Sequence, residues 1–328
     1  MENFGFGAIP SPKDIRDYKL QAAAIIPQNL PKTFKLNMGN IKNQGSQPTC
    51  VAHVLASLVE FYNLRDTGYN YNFSTDFIYG CRLDTDYFGE GMYLRDGLKV
   101  LQKYGDVWNI QLPGNSNVSV AMEKVKTNFE TLIPLAEPNR ISTYYKIQTP
   151  NEIKYALIND GPVPASMRWF KDAKIDSKGV YNYSSKEIQD HHAVLIIGWT
   201  EDSLIIQNSW GRLWGDHGLF YIPFSKIEEV FREFYGVTDD INKIIQPQVI
   251  TIKLSPIINI VLNLINKIVK AWAGIKLPVQ KVTPPRTSES QRRGNGMGSP
   301  ISQVVEPSLL LTCNAQVFLL SKKWRKIL

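Results

Sequence analysis

Along the chain the apolar positions change period twice. Up to Thr49, Pro10, Pro12, Pro27 and Pro31 punctuate a stretch without helical periodicity, which predicts an extended lead-in with little helix. From Cys50 onward, Val51, Val54, Leu55, Leu58, Val59 and Tyr62 recur at the spacing of one buried helical stripe, so a helix opens with a cysteine in its first turn. A second helix is predicted from about Tyr93 to Tyr104, with Leu94, Leu98 and Leu101 on one face and Gly105 as its stop. A third runs from Pro150 to Asn159, where Thr149, Pro150 and Glu152 occupy the N-cap, N1 and N3 positions of a capping box. After Gly161-Pro162 the period becomes that of strands: Val163 to Met167, Ala193 to Trp199, Leu204 to Gln207 and Leu219 to Ile222. Helices first and strands second predict an α+β chain of two packed lobes, one mostly helical and one mostly β, with a cleft between them.

Composition adds a boundary. The chain has 328 residues, 43% apolar, enough for a sizeable core, and a net charge of +7. Beyond Asp240, 13 Lys and Arg face only Glu289 and Glu306, so the whole positive excess lies in a tail. Three cysteines, Cys50, Cys81 and Cys313, are too few for a disulfide framework and share no metal-ligand spacing. The start of the chain lacks a basic region and a long apolar run, so no classical signal peptide is expected; a reducing, cytoplasmic location fits best. No apolar stretch of membrane-spanning length is free of Lys.

The candidate chemistry starts from Cys50. A thiol becomes a useful nucleophile when a helix N-terminus or an imidazole favours the thiolate, and the predicted helix supplies the first. Of four histidines, His53 lies one turn down the same helix and reads as a core residue, while His217, in Gly215-Asp216-His217-Gly218, reads as a solvated loop residue. His191 and His192 open an apolar strand, so one can face a cleft while the other faces away. Asn208, at the end of the next strand, is the amide placed to orient an imidazole.

Gln44-Gly45, Cys50, His192-Ala193-Val194, Gly198-Trp199, Asn208-Ser209-Trp210-Gly211 and Trp214-Gly215, in that order, resemble the papain-like cysteine peptidases. His192 and Asn208 follow Cys50 by 142 and 158 residues, and the likeness covers roughly Leu30 to Phe224. The resemblance implies the papain-like two-lobe fold, with an antiparallel β lobe, and hydrolysis of peptide bonds through an acyl-enzyme thioester without metal or organic cofactor. It implies Cys50 as nucleophile, His192 as base and then acid in a thiolate–imidazolium pair, and Asn208 as the partner of the far His192 nitrogen. It further implies Trp210 as a shield for that bond and Gln44, with the Cys50 backbone N–H, as the oxyanion hole. Gly89-Glu90-Gly91-Met92 resembles the wall along which substrate backbone pairs, so Gly91 and Met92, together with Trp210, are candidate substrate-binding residues. Ser166 and Met167 are further pocket-lining candidates that an interior strand explains equally well.

The chain also departs from the family pattern. Gln47-Pro48-Thr49-Cys50-Val51 stands where Cys-Gly-Ser-Cys-Trp is usual, which removes a disulfide partner and puts Pro48 on the cleft rim. His191 sets a second imidazole beside His192. Residues 1–29 are too short for the family's long prodomain and resemble the lead-in of bacterial and viral members; packing over the lobes as structure is the favoured expectation, a short plug in the cleft the other. The peptidase domain is expected over residues 30–240, and the basic tail over 241–328, with an amphipathic helix at 256–273 that packs on protein or lies on an anionic membrane. The expected partner is a protein or peptide substrate, with no sequence-specific nucleic acid. A catalytically weak binding module, an acyltransferase and a cell-wall peptide hydrolase are the alternatives.

Overall fold

The computed structural model describes residues 4–12, 30–82 and 89–239. The chain divides into two units, Met1–Val249 and Ile250–Leu328; the second, with the expected amphipathic helix and the boundary at residue 240, lies outside the described residues. The lead-in has no helix among its described residues and contributes two short strands, β1 (Ala8–Ile9) and β2 (Phe34–Lys35).

Helix α1 (Cys50–Thr67) starts where predicted and ends at Gly68, whose positive φ of 74° lets its N–H reach back to the Leu64 carbonyl. Every residue from Cys50 to Asn63 is buried, so the predicted stripe is a helix covered all round. It packs between α2 (Thr75–Gly80) and the main sheet, and it carries buried polar groups that need partners. Glu60 is met by the Lys42 Nζ at 2.6 Å and the Phe73 N–H at 2.8 Å, and the His53 Nδ1 lies 2.9 Å from the Thr49 carbonyl oxygen.

β3 (Met92–Tyr93) leads directly into α3 (Leu94–Lys103), which stops at Gly105, at φ 85°, as expected. α4 (Val118–Ala136), which the apolar spacing did not reveal, is capped by the Asn117 Oδ1 accepting from the Val120 N–H at 3.0 Å. β4 (Thr143–Ile147) precedes α5 (Pro150–Asn159), whose predicted cap is present: the Thr149 Oγ1 accepts from the Glu152 N–H at 3.2 Å. Glu152 reaches one residue further back than a reciprocal box requires, accepting from the Gln148 N–H at 2.7 Å.

The β lobe follows: β5 (Val163–Phe170), a small hairpin of β6 (Lys174–Ile175) and β7 (Tyr181–Asn182), β8 (Ile188–Trp199), β9 (Ser203–Gln207), β10 (Leu219–Pro223), the short α6 (Ile227–Val230) and β11 (Phe231–Thr238). β8 begins five residues before the predicted Ala193, so His191 and His192 lie inside the strand. The main sheet runs β10-β9-β8-β5-β11-β4, with β2 paired to the end of β8, and all its pairings are antiparallel. Alternation along β8 divides the interior into two cores. Ala193, Leu195 and Ile197 face the helices α1 to α4, whereas Val194, Ile196 and Trp199 pack on the opposite side with Ile153 and Leu157 of α5. The helical lobe meets the sheet along the row that contains Cys50 and Ala193.

Candidate active site

Cys50 occupies the first position of α1 and is fully buried. Its Sγ accepts from the backbone N–H of Ala193 at 3.4 Å, which ties the helix start to β8 beside His192. His192 is likewise fully buried, and its Nε2 lies 2.7 Å from the Asn208 Oδ1. Because that oxygen can only accept, Nε2 carries the proton, and in the neutral ring Nδ1 is the basic nitrogen. Nδ1 is buried and makes no hydrogen bond. The Asn208 Oδ1 also accepts from the Ser209 N–H at 2.8 Å, and the Asn208 backbone N–H donates to the Gly218 carbonyl at 2.9 Å, so both the side-chain oxygen and the backbone of Asn208 are held, while its buried Nδ2 makes no hydrogen bond. The Trp210 ring stacks on the His192 ring at 4.6 Å, and Trp169 and Phe6 meet that ring edge-on.

Gln44 is held just as firmly. Its Oε1 accepts from the Ser209 Oγ at 2.5 Å, which turns its Nε2 toward the Gln47 carbonyl at 2.8 Å and the Gly5 carbonyl at 3.1 Å. The Gly5 carbonyl also accepts from the Trp210 Nε1 at 3.1 Å. Gln44, which the sequence offered to a substrate oxygen, and the Trp210 indole thus both donate to an oxygen of the chain's own lead-in. Sequence reasoning missed the donor role of Trp210 and the orienting role of Ser209; the Asn-Ser-Trp block was the available signal.

The rest of the lead-in follows the same trough. Phe4 stacks on Trp210 at 4.7 Å, and the Gly5 N–H donates to the Gly45 carbonyl at 2.8 Å. A Cβ on Gly5 would lie 2.1 Å from the Gln47 oxygen, and one on Gly7 2.3 Å from the Pro48 oxygen. The predicted wall carries the next step: the Met92 N–H donates to the Gly7 carbonyl at 2.8 Å, and β1 pairs in parallel with β3, Ala8 opposite Met92. Gly91, at φ 102°, must be glycine, since a Cβ there would stand 2.6 Å from the Gly7 oxygen. At the far end Ser11 donates its N–H and Oγ–H to the Glu233 Oε1 at 3.3 and 3.1 Å, and Arg95 Nη2 donates to the Pro12 carbonyl. Residues 4–12 therefore occupy the cleft, the second of the two expectations for the lead-in and not the favoured one.

This occupancy also revises the expected thiolate–imidazolium pair. Burial pushes the Cys50 thiol up to about 12, against the smaller help of the Ala193 N–H, and burial pulls the His192 imidazole down to about 4. Both groups are neutral in this state. The imidazole whose charge opposes that of His192 is His53, itself buried and lowered to about 4 by desolvation; His191 is half-buried. His217 is exposed at φ 54°, in the loop where it was expected. Ser166 and Met167 are both fully buried; Met167 pairs with His192 across the ladder, and the Ser166 Oγ has no hydrogen-bond partner.

Comparison with known proteins places this geometry in a family. The model of the papain family cysteine proteases matches residues 27–233. Among curated proteins, cathepsin B-like cysteine proteinase 3 of Caenorhabditis elegans is 39% identical over 85 residues, 24% of this chain and 23% of the relative. Cathepsin C of Schistosoma mansoni is 25% identical over 205 residues, 56% of this chain and 43% of the relative. The chain thus spans about a quarter of the length of the cathepsin B-like relatives it matches. Among solved structures, xylellain, a cysteine protease from Xylella fastidiosa, superposes with a TM-score of 0.63 at 22% identity, over 73% of this chain and 97% of that one. Procathepsin B of Trypanosoma congolense gives 0.56 at 15% identity, over 72% and 87%.

Proposed function

The chain belongs to the papain family of cysteine proteases, and from that premise we propose that it hydrolyses peptide bonds through Cys50, His192 and Asn208, and that residues 4–12 hold it latent. The observation that carries the reading is the state of His192: one nitrogen is tied to Asn208, and the other, Nδ1, is a buried lone pair bonded to nothing, in the strand that holds the Cys50 sulfur. A base oriented by an amide and freed on its other side is what thiol activation requires.

In the open enzyme the Cys50 proton passes to the His192 Nδ1, and the sulfur attacks the carbonyl carbon of the scissile bond. The developing oxyanion takes the place of the Gly5 carbonyl oxygen on the Gln44 Nε2, where losing one such donor costs about 100 to 1000 fold in rate. The C–N bond breaks as imidazolium returns its proton to the amine, leaving a thioester on Cys50. Water, deprotonated by His192, then releases the acid and restores the thiol. Asn208 keeps the ring in the Nε2–H tautomer throughout, under the cover of Trp210.

The test is cleavage of an unbiased peptide pool by the full-length chain and by Cys50→Ala and His192→Ala. Both substitutions should abolish cleavage while leaving the melting curve in place; cleavage that survives Cys50→Ala would remove Cys50 from the chemistry.

A further inference from the structure

Along the strand that carries His192, the sheet gathers a group of cations that the mechanism above does not use. His191 of β8 pairs with Arg168 of β5. Directly paired residues of neighbouring antiparallel strands project to the same face, and so do residues two apart along one strand. His191 and Arg168 therefore share the face of Ala193, whose N–H touches the Cys50 sulfur, and stand about 7 Å further along the strands. β11 brings the third member. Phe231 pairs with Met167 and Glu233 with the adjacent Ser166, so Arg232 is the extra residue of a β-bulge, a device that re-aims a side chain. The Arg168 Nη1 donates to the carbonyls of Glu229 and Phe231, the second at 3.2 Å, which lays its guanidinium against the segment that leads into Arg232.

The group lacks a counter-charge. Arg168 and His191 are half-buried and Arg232 is exposed. Among the described residues neither arginine forms an ion pair, Arg168 meets only backbone carbonyls, and Arg232 and the His191 ring make no hydrogen bond. The acids whose charge reaches them are engaged elsewhere: Glu229 pairs with Lys186 at 3.1 Å, and the Asp190 Oδ1 accepts from the His191 backbone N–H at 2.7 Å. Burial, then the Arg232 charge, hold Arg168 below the usual guanidinium range, and the same two causes lower His191, with Asp190 opposing and Arg168 adding to them. Residues 4–12 carry no charged side chain, so the lead-in that fills the cleft leaves this charge unanswered.

We propose that Arg168 and Arg232, with His191 beside them, bind a carboxylate of the peptide substrate, carried by an Asp or Glu side chain or by the peptide's own C-terminus. The inference rests on the peptidase reading. Arg168 is already oriented by the carbonyls it holds, Arg232 is free to close on a ligand from the bulge, and a carboxylate offers two oxygens to two such guanidinium groups. Even when neutral, the His191 ring adds one N–H donor. A glutamine in that place brings no charge and a lysine brings the wrong one, so the cluster selects against a cation as well as for the anion.

The experiment compares peptides that differ only in Glu, Gln or Lys at one position, walked along both sides of the cleaved bond, and peptides that end in a free acid or an amide. It uses the full-length chain and the full-length Gly7→Ala variant, each alone, with Arg232→Gln, with Arg168→Gln added to it, and with Lys186→Gln. The readout is the ratio of kcat/KM for the acid over its neutral twin, which cancels any difference in the fraction of folded or open molecules. A side-chain source puts the preference at one position and a terminal source puts it in the free acid alone; in either case the ratio should be about fivefold or more, with Lys at the same position cleaved more slowly than Gln. Arg232→Gln should lower the ratio at least about threefold, and the double variant should bring it to within about twofold of one. Lys186→Gln, which removes a cation already paired with Glu229, should leave it in place. Should Arg168→Gln fail to fold, the exposed Arg232 decides alone. A ratio near one at every position and terminus, a preference that survives the Arg substitutions, or an equal loss in Lys186→Gln overturns the assignment. Absence of any cleavage dependent on Cys50 in both backgrounds is a different result: it removes the peptidase reading, and this inference with it.

Discussion

Gly7 has φ 121°, and its Cα lies against the Pro48 carbonyl so closely that a methyl group would sit 2.3 Å from that oxygen. Gly7→Ala therefore acts on the lead-in without altering any group of the reaction. Its expected effect is gain of function: peptide turnover at least about tenfold above the parent chain, measured at equal protein concentration, with a parent-like rate counting against the latent state. Alkylation of Cys50 provides the matching pH signature. In the parent the thiol is raised to about 12, so its thiolate fraction at neutral pH is small and labelling should climb about tenfold per pH unit through the alkaline range. In Gly7→Ala, solvent returns to the pair and labelling should already be appreciable near pH 6. Cys50, His192 and Asn208 stood out by residue type and Gln44 and Gly91 by resemblance to the papain-like peptidases, and the fold sets all five along the trough that holds the lead-in. The protonation state was not legible, because it is set by complete burial of both groups in the folded chain, where rings from three separate segments, Phe6, Trp169 and Trp210, close on His192. The burial of Glu233 was silent for a related reason: its partners Ser11 and Tyr235 and its neighbour Ser166 meet only in the folded register.

Among the elements, those with strong punctuation were readable and those without it were not. α5 lies where Thr149, Pro150 and Glu152 put it, and the cap is a real hydrogen bond at 3.2 Å. Thr149→Ala should cost about 1 kcal/mol of stability, measured as a shift of the denaturant midpoint at constant slope. No change would mean that packing of Ile153, Ala156 and Leu157 alone holds the helix. α4 escaped notice because few of its residues are buried, Ala121, Val125, Leu132 and Ala136, and Pro134 interrupts its last turn. Asn117 was the signal that could have found it, since its side chain accepts from the Val120 N–H. β11 was missed because Glu233 breaks the apolar row of Phe231, Tyr235 and Val237. α1 was recognised, and His53 with it as a core residue, yet a stripe of apolar positions does not reveal that Ser57, Glu60 and Asn63 are buried as well.

For the molecule as a whole, two lobes and a cleft followed from the order of helices and strands, and the sheet supplied the two-sided core that this order requires. What fills the cleft depends on contacts between positions as distant as Gly5 and Trp210, which no local pattern carries. The occupant of the trough is part of the same chain, joined to the rest of it through residues 13–29, and under the proposed latency this sets the kinetic order of control. A tethered ligand faces its site at an effective concentration of roughly millimolar, whatever the protein concentration. Latency should therefore be independent of dilution in the intact chain. If a recognition sequence for an unrelated protease is inserted between residues 12 and 30 and cut, residues 4–12 become a free peptide at the concentration of the enzyme itself. Specific activity should then rise steeply as the cut protein is diluted into the nanomolar range, and a flat dilution series would show that the segment stays bound without its tether. A single broken bond in the tether would thus turn a unimolecular equilibrium into a bimolecular one, and because the cut bond does not re-form, opening at low concentration would persist as a memory of the cut.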